Sequence, residues 1–282
     1  MQLSLLCRSI FCILFLIFLS SCEADAQPAN FGNISYAEAI NISGRQRMLT
    51  QKTAKLYLMM VSGVANPELK KDLTANIALF TKQLNLLSEN AKSNVIKSSL
   101  NQVSEHWKEY EALLISHPNL KNAELLLEKN TPLLQLCDQV VTNIEQNFKN
   151  PKTKANQFED LLHIINISGK QRMLSQRFCL YYLGMTLFDN KSEQYKLLLR
   201  QIFEEFETTI FTLLNSPYND DIVRADIMKL LYFWEKIKSD QNLLYNSKFE
   251  IERIYNTTTR LTDTFDNLTA IYEEIYKARQ KM

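Results

Sequence analysis

Apolar and polar positions along the chain show almost none of the strict alternation of a half-buried strand, and the spacing reads as helix throughout. Breaks fall at Asn66-Pro67, His117-Pro118-Asn119, Asn150-Pro151 and Ser216-Pro217-Tyr218-Asn219-Asp220, because a residue preceding proline is pushed out of the helical region. Between these breaks the pattern predicts helices over 34–64, 67–91, 95–116, 120–149, 154–189, 192–215, 220–245 and 247–280. At about 100° per residue, Ile42, Leu49, Thr53, Leu56 and Met60 share one arc of the first helix, as a core-facing stripe should.

The opposite arc carries Asn41, Gly44, Arg47, Met48 and Gln51, and it recurs. INISGRQRMLTQK at 40–52 returns as INISGKQRMLSQR at 165–177, an offset of 125 with ten of thirteen positions identical. The changes, Arg45/Lys170, Thr50/Ser175 and Lys52/Arg177, keep their chemical type. Fainter echoes follow in the same order at offsets of 126 or 127: Phe80 with Phe206, Trp107 with Trp234, and Asn130-Thr131 with Asn256-Thr257. The expectation is a tandem duplication, one helical repeat over 31–150 and a second over 151–282. Four helical stretches per repeat are enough to close a bundle. The expected fold is therefore all-α: two antiparallel four-helix bundles joined near Asn150-Pro151.

The repeated arc is not a solvated charge face. Asn41, Gln51, Asn166 and Gln176 donate and accept hydrogen bonds, Gly44 and Gly169 permit close approach of a second backbone, and Arg47 and Arg172 each offer a planar fork suited to an oxyanion. The same set is also a packing and register device if the arginines pair with internal acids such as Glu38 or Asp138. Trp107 and Trp234 are read as core anchors.

At the N-terminus, Arg8 and the apolar run Ile10–Leu19 read as a secretory signal over 1–22, too short to span roughly 30 Å of hydrocarbon. Two cleavage sites compete. Leu19-Ser20-Ser21-Cys22 has the lipobox pattern, which makes Cys22 a candidate for lipidation and membrane tethering, whereas Ala24-Asp25-Ala26 suits ordinary signal peptidase. The chain is expected to be exported and periplasmic, with no second apolar span, so a membrane receptor or kinase partner would have to transmit any signal. The formal net charge of +1, with both signs interspersed, leaves no footprint for nucleic acid. Beyond the signal only Cys137 and Cys179 remain, either a disulfide or two buried thiols. The three histidines, His106, His117 and His163, lack metal-ligand spacing, and no phosphate loop or nucleophile motif occurs, so neither an enzyme nor a cofactor is expected.

INISGRQRMLTQ and INISGKQRMLSQR resemble the signature of the PilJ-type domain, the N-terminal sensory module of type IV pili methyl-accepting chemotaxis transducers, which is related to the periplasmic domain of NarX-like nitrate sensors. The resemblance is fainter over the Trp107 and Trp234 helices. It implies a four-helix bundle with the signature on its first helix and, from the nitrate sensors, an anion held between two subunits by an arginine that corresponds to Arg47 and Arg172. Family members normally sit between transmembrane helices and drive a kinase or chemotaxis output. Two functions are carried forward: a sensor that captures a small, nitrate-like anion on the repeated arc, and a helical adaptor of envelope or pilus machinery whose arc only packs. In the first, the two signature helices face each other and Arg47 and Arg172 converge on one site; a cavity lined by Arg47, Gln51 or their counterparts would favour it, whereas both arginines bonded to internal carboxylates would defeat the shared site and favour the second.

Overall fold

The computed structural model describes residues 30–148 and 156–280. Cys22, both cleavage sites and the Asn150-Pro151 junction lie outside the described residues. Among the described residues there are nine α-helices: α1 Tyr36–Val61, α2 Glu68–Asn90, α3 Asn94–Leu114, α4 Leu120–Phe148, α5 Asn156–Leu187, α6 Ser192–Leu214, α7 Asp221–Lys238, α8 Gln241–Tyr245 and α9 Ile251–Gln280. No β-strand occurs among the described residues, and no helix there is long and apolar enough to cross a membrane.

Local chemistry sets the helix starts. Ser35 Oγ accepts the Glu38 amide at 3.0 Å to cap α1, and Asp220 Oδ1 accepts the Val223 amide at 2.8 Å to cap α7. The entry to α1 is tied to the end of α2, where Asn90 Oδ1 accepts the Asn33 amide at 2.7 Å. Gly32 makes that approach possible: its φ is +66°, and a Cβ there would sit 2.6 Å from Asn90 Oδ1. The stretch expected as one helix over 220–245 is instead α7 and the short α8, broken at Ser239-Asp240, where Asp240 O accepts the Leu243 and Leu244 amides of the next turn.

In each half, four long helices pack as a bundle: α1 to α4, and α5, α6, α7 and α9. The most extensive packing in the molecule is between α1 and α5, across the halves. This explains a departure from the simple stripe: 21 of the 26 residues of α1 are buried, because one side meets its own bundle and the other meets α5. Trp107 stacks on Phe80 at 3.7 Å and 18°, and Trp234 on Phe206 at 4.1 Å and 17°, so matched aromatic pairs anchor the two cores. Cys137 and Cys179 are both buried free thiols, which excludes the disulfide. Burial pushes them up to about 12 and about 11 respectively, so neither is a thiolate at neutral pH.

Candidate functional site

The repeated arcs of α1 and α5 meet in the seam between the halves. Arg47 and Arg172 are 2 % and 0 % exposed. A Cβ on Gly44 would lie 3.3 Å from Arg47 Nη2 and 3.4 Å from Arg172 Nη2, so the two guanidinium tips are within about 7 Å of each other. What comes close to Gly44 is therefore a pair of cations, not the second backbone expected there. At that separation two like charges repel by about 2 kcal/mol in an effective dielectric of ~20.

Each arginine binds an acid of its own half and a residue of the other. Arg47 Nη1 donates to Asp138 Oδ1 at 2.7 Å, and its Nη2 donates to Asn166 Oδ1 at 2.7 Å. Arg172 Nη1 donates to Asp266 Oδ1 at 2.5 Å, and its Nη2 to the Asn41 carbonyl at 3.2 Å. The asparagines extend the lattice to the last helix of the opposite half: Asn41 Nδ2 donates to Glu273 at 2.5 Å and Asn166 Nδ2 to Glu145 at 2.9 Å.

The two sides are not equivalent. Arg45 crosses the seam to share Asp266 at 2.8 Å, whereas Lys170, at the matching position, pairs with Glu205 inside its own half. Arg172 Nε donates to the Gly169 carbonyl at 3.4 Å, while Arg47 Nε is buried with no hydrogen-bond partner among the described residues, as are Asn41 Oδ1, Gln51 Oε1 and Gln176 Oε1. Gln51 and Gln176 lie one helical turn further on and donate to Thr50 and Thr262 rather than joining the arginines.

Burial lowers the Arg172 guanidinium from its ordinary value to about 10; Asp266 opposes that effect, and Arg45 and Arg47 add to it. Burial also works against charge on Asp266, but Arg172 and Arg45 outweigh it and hold its carboxyl below the usual range. Charge on Arg172 is thus a net cost to the fold, and charge on the more exposed Asp266 a gain.

Residues 31–132 match the family model of the type IV pili methyl-accepting chemotaxis transducer N-terminal domain, PilJ. The match covers α1 to α3 and the first part of α4, including Arg47, Gly44, Asn41 and Gln51. PilJ-type domains are sensory parts of chemotaxis transducers, and that class is what the match supports here. No curated protein and no solved structure matches the chain.

Elsewhere, a cleft of about 260 Å³ is lined by Glu145, Phe148, Glu159, Asp160, Leu162 and His163. Its acidic wall is the wrong sign for an anion. Among the described residues no group of three or more His, Cys, Asp or Glu side chains is placed to hold a metal.

Reasoning from the sequence reached Arg47, Arg172, the asparagines, the glycines and Asp138, but missed Arg45, Asp266, Glu145 and Glu273. A signal for the acids was present. Asp138/Asp266 and Glu145/Glu273 share an offset of 128, and the members of each helix are seven residues, about two turns, apart.

Proposed function

We propose that the chain is an exported, PilJ-type sensory module made of two tandem helical repeats, 31–150 and 151–282. A small oxyanion such as nitrate binds in the seam between Arg47 and Arg172 and alters what the module presents to a membrane-associated signalling partner. The observation that carries this reading is the convergence of both guanidinium tips over Gly44, with Arg47 Nε left unpartnered. Two buried cations that repel each other, one with an unused donor, fit an acceptor-only ligand with several oxygens. Asn41 and Asn166 would orient it, and Gly44 and Gly169 let the guanidinium groups lie against their helices. Lipidation at Cys22 would tether the module to a membrane surface.

A second reading, the packing adaptor, draws on the very outcome that the sequence reading set against a shared site: each arginine is bonded to an internal carboxylate, Asp138 or Asp266. The two readings differ in what they ask of the arginines. A packing role requires a net gain in stability from them, whereas a binding site can retain buried charge at a net cost.

Arg47→Met and Arg172→Met test this directly. Under the binding reading, either change abolishes the rise in melting temperature that nitrate, sulfate or phosphate gives over chloride at equal ionic strength. The ligand-free stability would stay within about 1 kcal/mol of wild type or improve. A loss of 3 kcal/mol or more in both variants, with no anion shifting the wild type, would establish packing.

A further inference from the structure

The two halves of the arginine site hold their carboxylates with unequal strength. Asp266 accepts from two guanidiniums, Arg172 and Arg45, whereas Asp138 accepts from Arg47 alone. All three guanidine nitrogens of Arg172 are engaged, while Arg47 keeps Nε free. The Asp138 side chain is 55 % exposed against 41 % for Asp266. Counting the charges in direct contact, Arg45, Arg47 and Arg172 face Asp138 and Asp266, which leaves one positive charge in excess.

From this asymmetry we propose that Asp138 is the displaceable internal competitor of the oxyanion: the ligand enters from the α4 side, takes Arg47 from Asp138, and leaves the Arg45–Asp266–Arg172 cluster intact. The inference rests on the binding reading above and adds to it the route of entry and the element that responds. Expelling Asp138 is cheap, since its carboxylate already stands half in water and would only complete its hydration. Expelling Asp266 would strand two guanidiniums, one of them fully buried, without their counterion. The anion would take the Nη1 donor left by Asp138 and share the end of the guanidinium with the second N–H of Nη2, whose first goes to Asn166, as a two-pronged contact, while Nε faces the other edge. Because Asp138 lies on α4 and Arg47 on α1, occupancy removes a polar tie between these helices, while Glu145–Asn166, two turns further along α4, remains.

The test is calorimetric titration of the purified chain with sodium nitrate, repeated with sulfate and phosphate, using wild type, Asp138→Asn, Asp138→Ala and Asp266→Asn. Removing the competitor is expected to tighten binding about tenfold in both Asp138 variants; Asp266→Asn is expected to give no gain and a lower melting temperature. Asp138→Asn keeps an acceptor for Arg47 and carries the test if Asp138→Ala does not fold. Hydrogen exchange should rise in α4 of the wild type when nitrate is added, and much less in Asp138→Ala, where the tie is already gone. If the wild type binds an anion and the Asp138 variants bind it equally or more weakly, the competitor role is wrong and the binding reading stands. If neither the wild type nor any variant binds any of the three anions, both are overturned.

Discussion

Replacing Lys55 by leucine should stabilise the protein by about 3 kcal/mol at pH 7, a rise of roughly 6–12 °C in melting temperature for a chain of this size. Lys55 is 1 % exposed on α1, and its Nζ lies 4.4 Å from the centre of the Tyr255 ring with no hydrogen-bond or ion-pair partner among the described residues. Burial pushes its ammonium down from 10.5 to about 8; among its neighbours, Lys52 adds to the effect while Cys179, Asp263 and Asp72 act against it. The sign follows from linkage. Below pH 8 both folded and unfolded forms are protonated and the full penalty applies, whereas between about 8 and 10.5 the folded form releases a proton that the unfolded form retains, so wild-type stability rises with pH. The gap between Lys55→Leu and wild type should therefore close across that window. The fold supplies its own control, because the position matched at an offset of 125 is Leu180, fully buried. Melting curves at pH 7 and pH 10 decide the matter, and a variant no more stable than wild type at pH 7 would refute it.

Trp234→Ala should act in the opposite sense, costing about 3–5 kcal/mol. Trp234 is 2 % exposed, stacks on Phe206 at 4.1 Å, and has Phe203 and Phe178 rings at 4.7 and 6.1 Å. The form of the loss is as informative as its size. Since α5 packs more extensively on α1 than on any helix of its own half, damage to the second core should lower one shared transition. Calorimetry together with the fluorescence of Trp107, the remaining tryptophan, would report it. Two separated transitions, with the Trp107 half melting at the wild-type temperature, would mean that the seam does not couple the halves.

The helices were legible because the few prolines, at Asn66-Pro67, His117-Pro118, Asn150-Pro151 and Ser216-Pro217, punctuate the pattern and strand alternation is nearly absent. The break at Ser239-Asp240 was not, since Lys238-Ser239-Asp240-Gln241 contains neither proline nor glycine. The cross-seam arc was legible from its repetition. Its burial partners were only half so: Asp138 was named, but Asp266 stands at an offset of 128 where the signature stands at 125, and an acid three residues out of register is invisible to a search at one fixed offset. Nor does periodicity reveal that α1 is enclosed on nearly all sides, because a stripe analysis assumes one core, and this helix serves its own bundle and the seam together. Lys55 escaped for the same reason. On a single amphipathic helix it reads as a solvated lysine, and only the neighbouring half buries it.

The α1–α5 seam also decides how this unit responds to dilution. Were the two halves separate molecules, their pairing would weaken as protein became scarce, and a few copies per cell could leave the arginines apart. A covalent link converts that encounter into an intramolecular one at a fixed, high effective concentration. It also frees the partners from identity: a self-pairing chain must carry every substitution on both sides, whereas here Arg45 faces across while Lys170 does not, and Lys55 is balanced by Leu180.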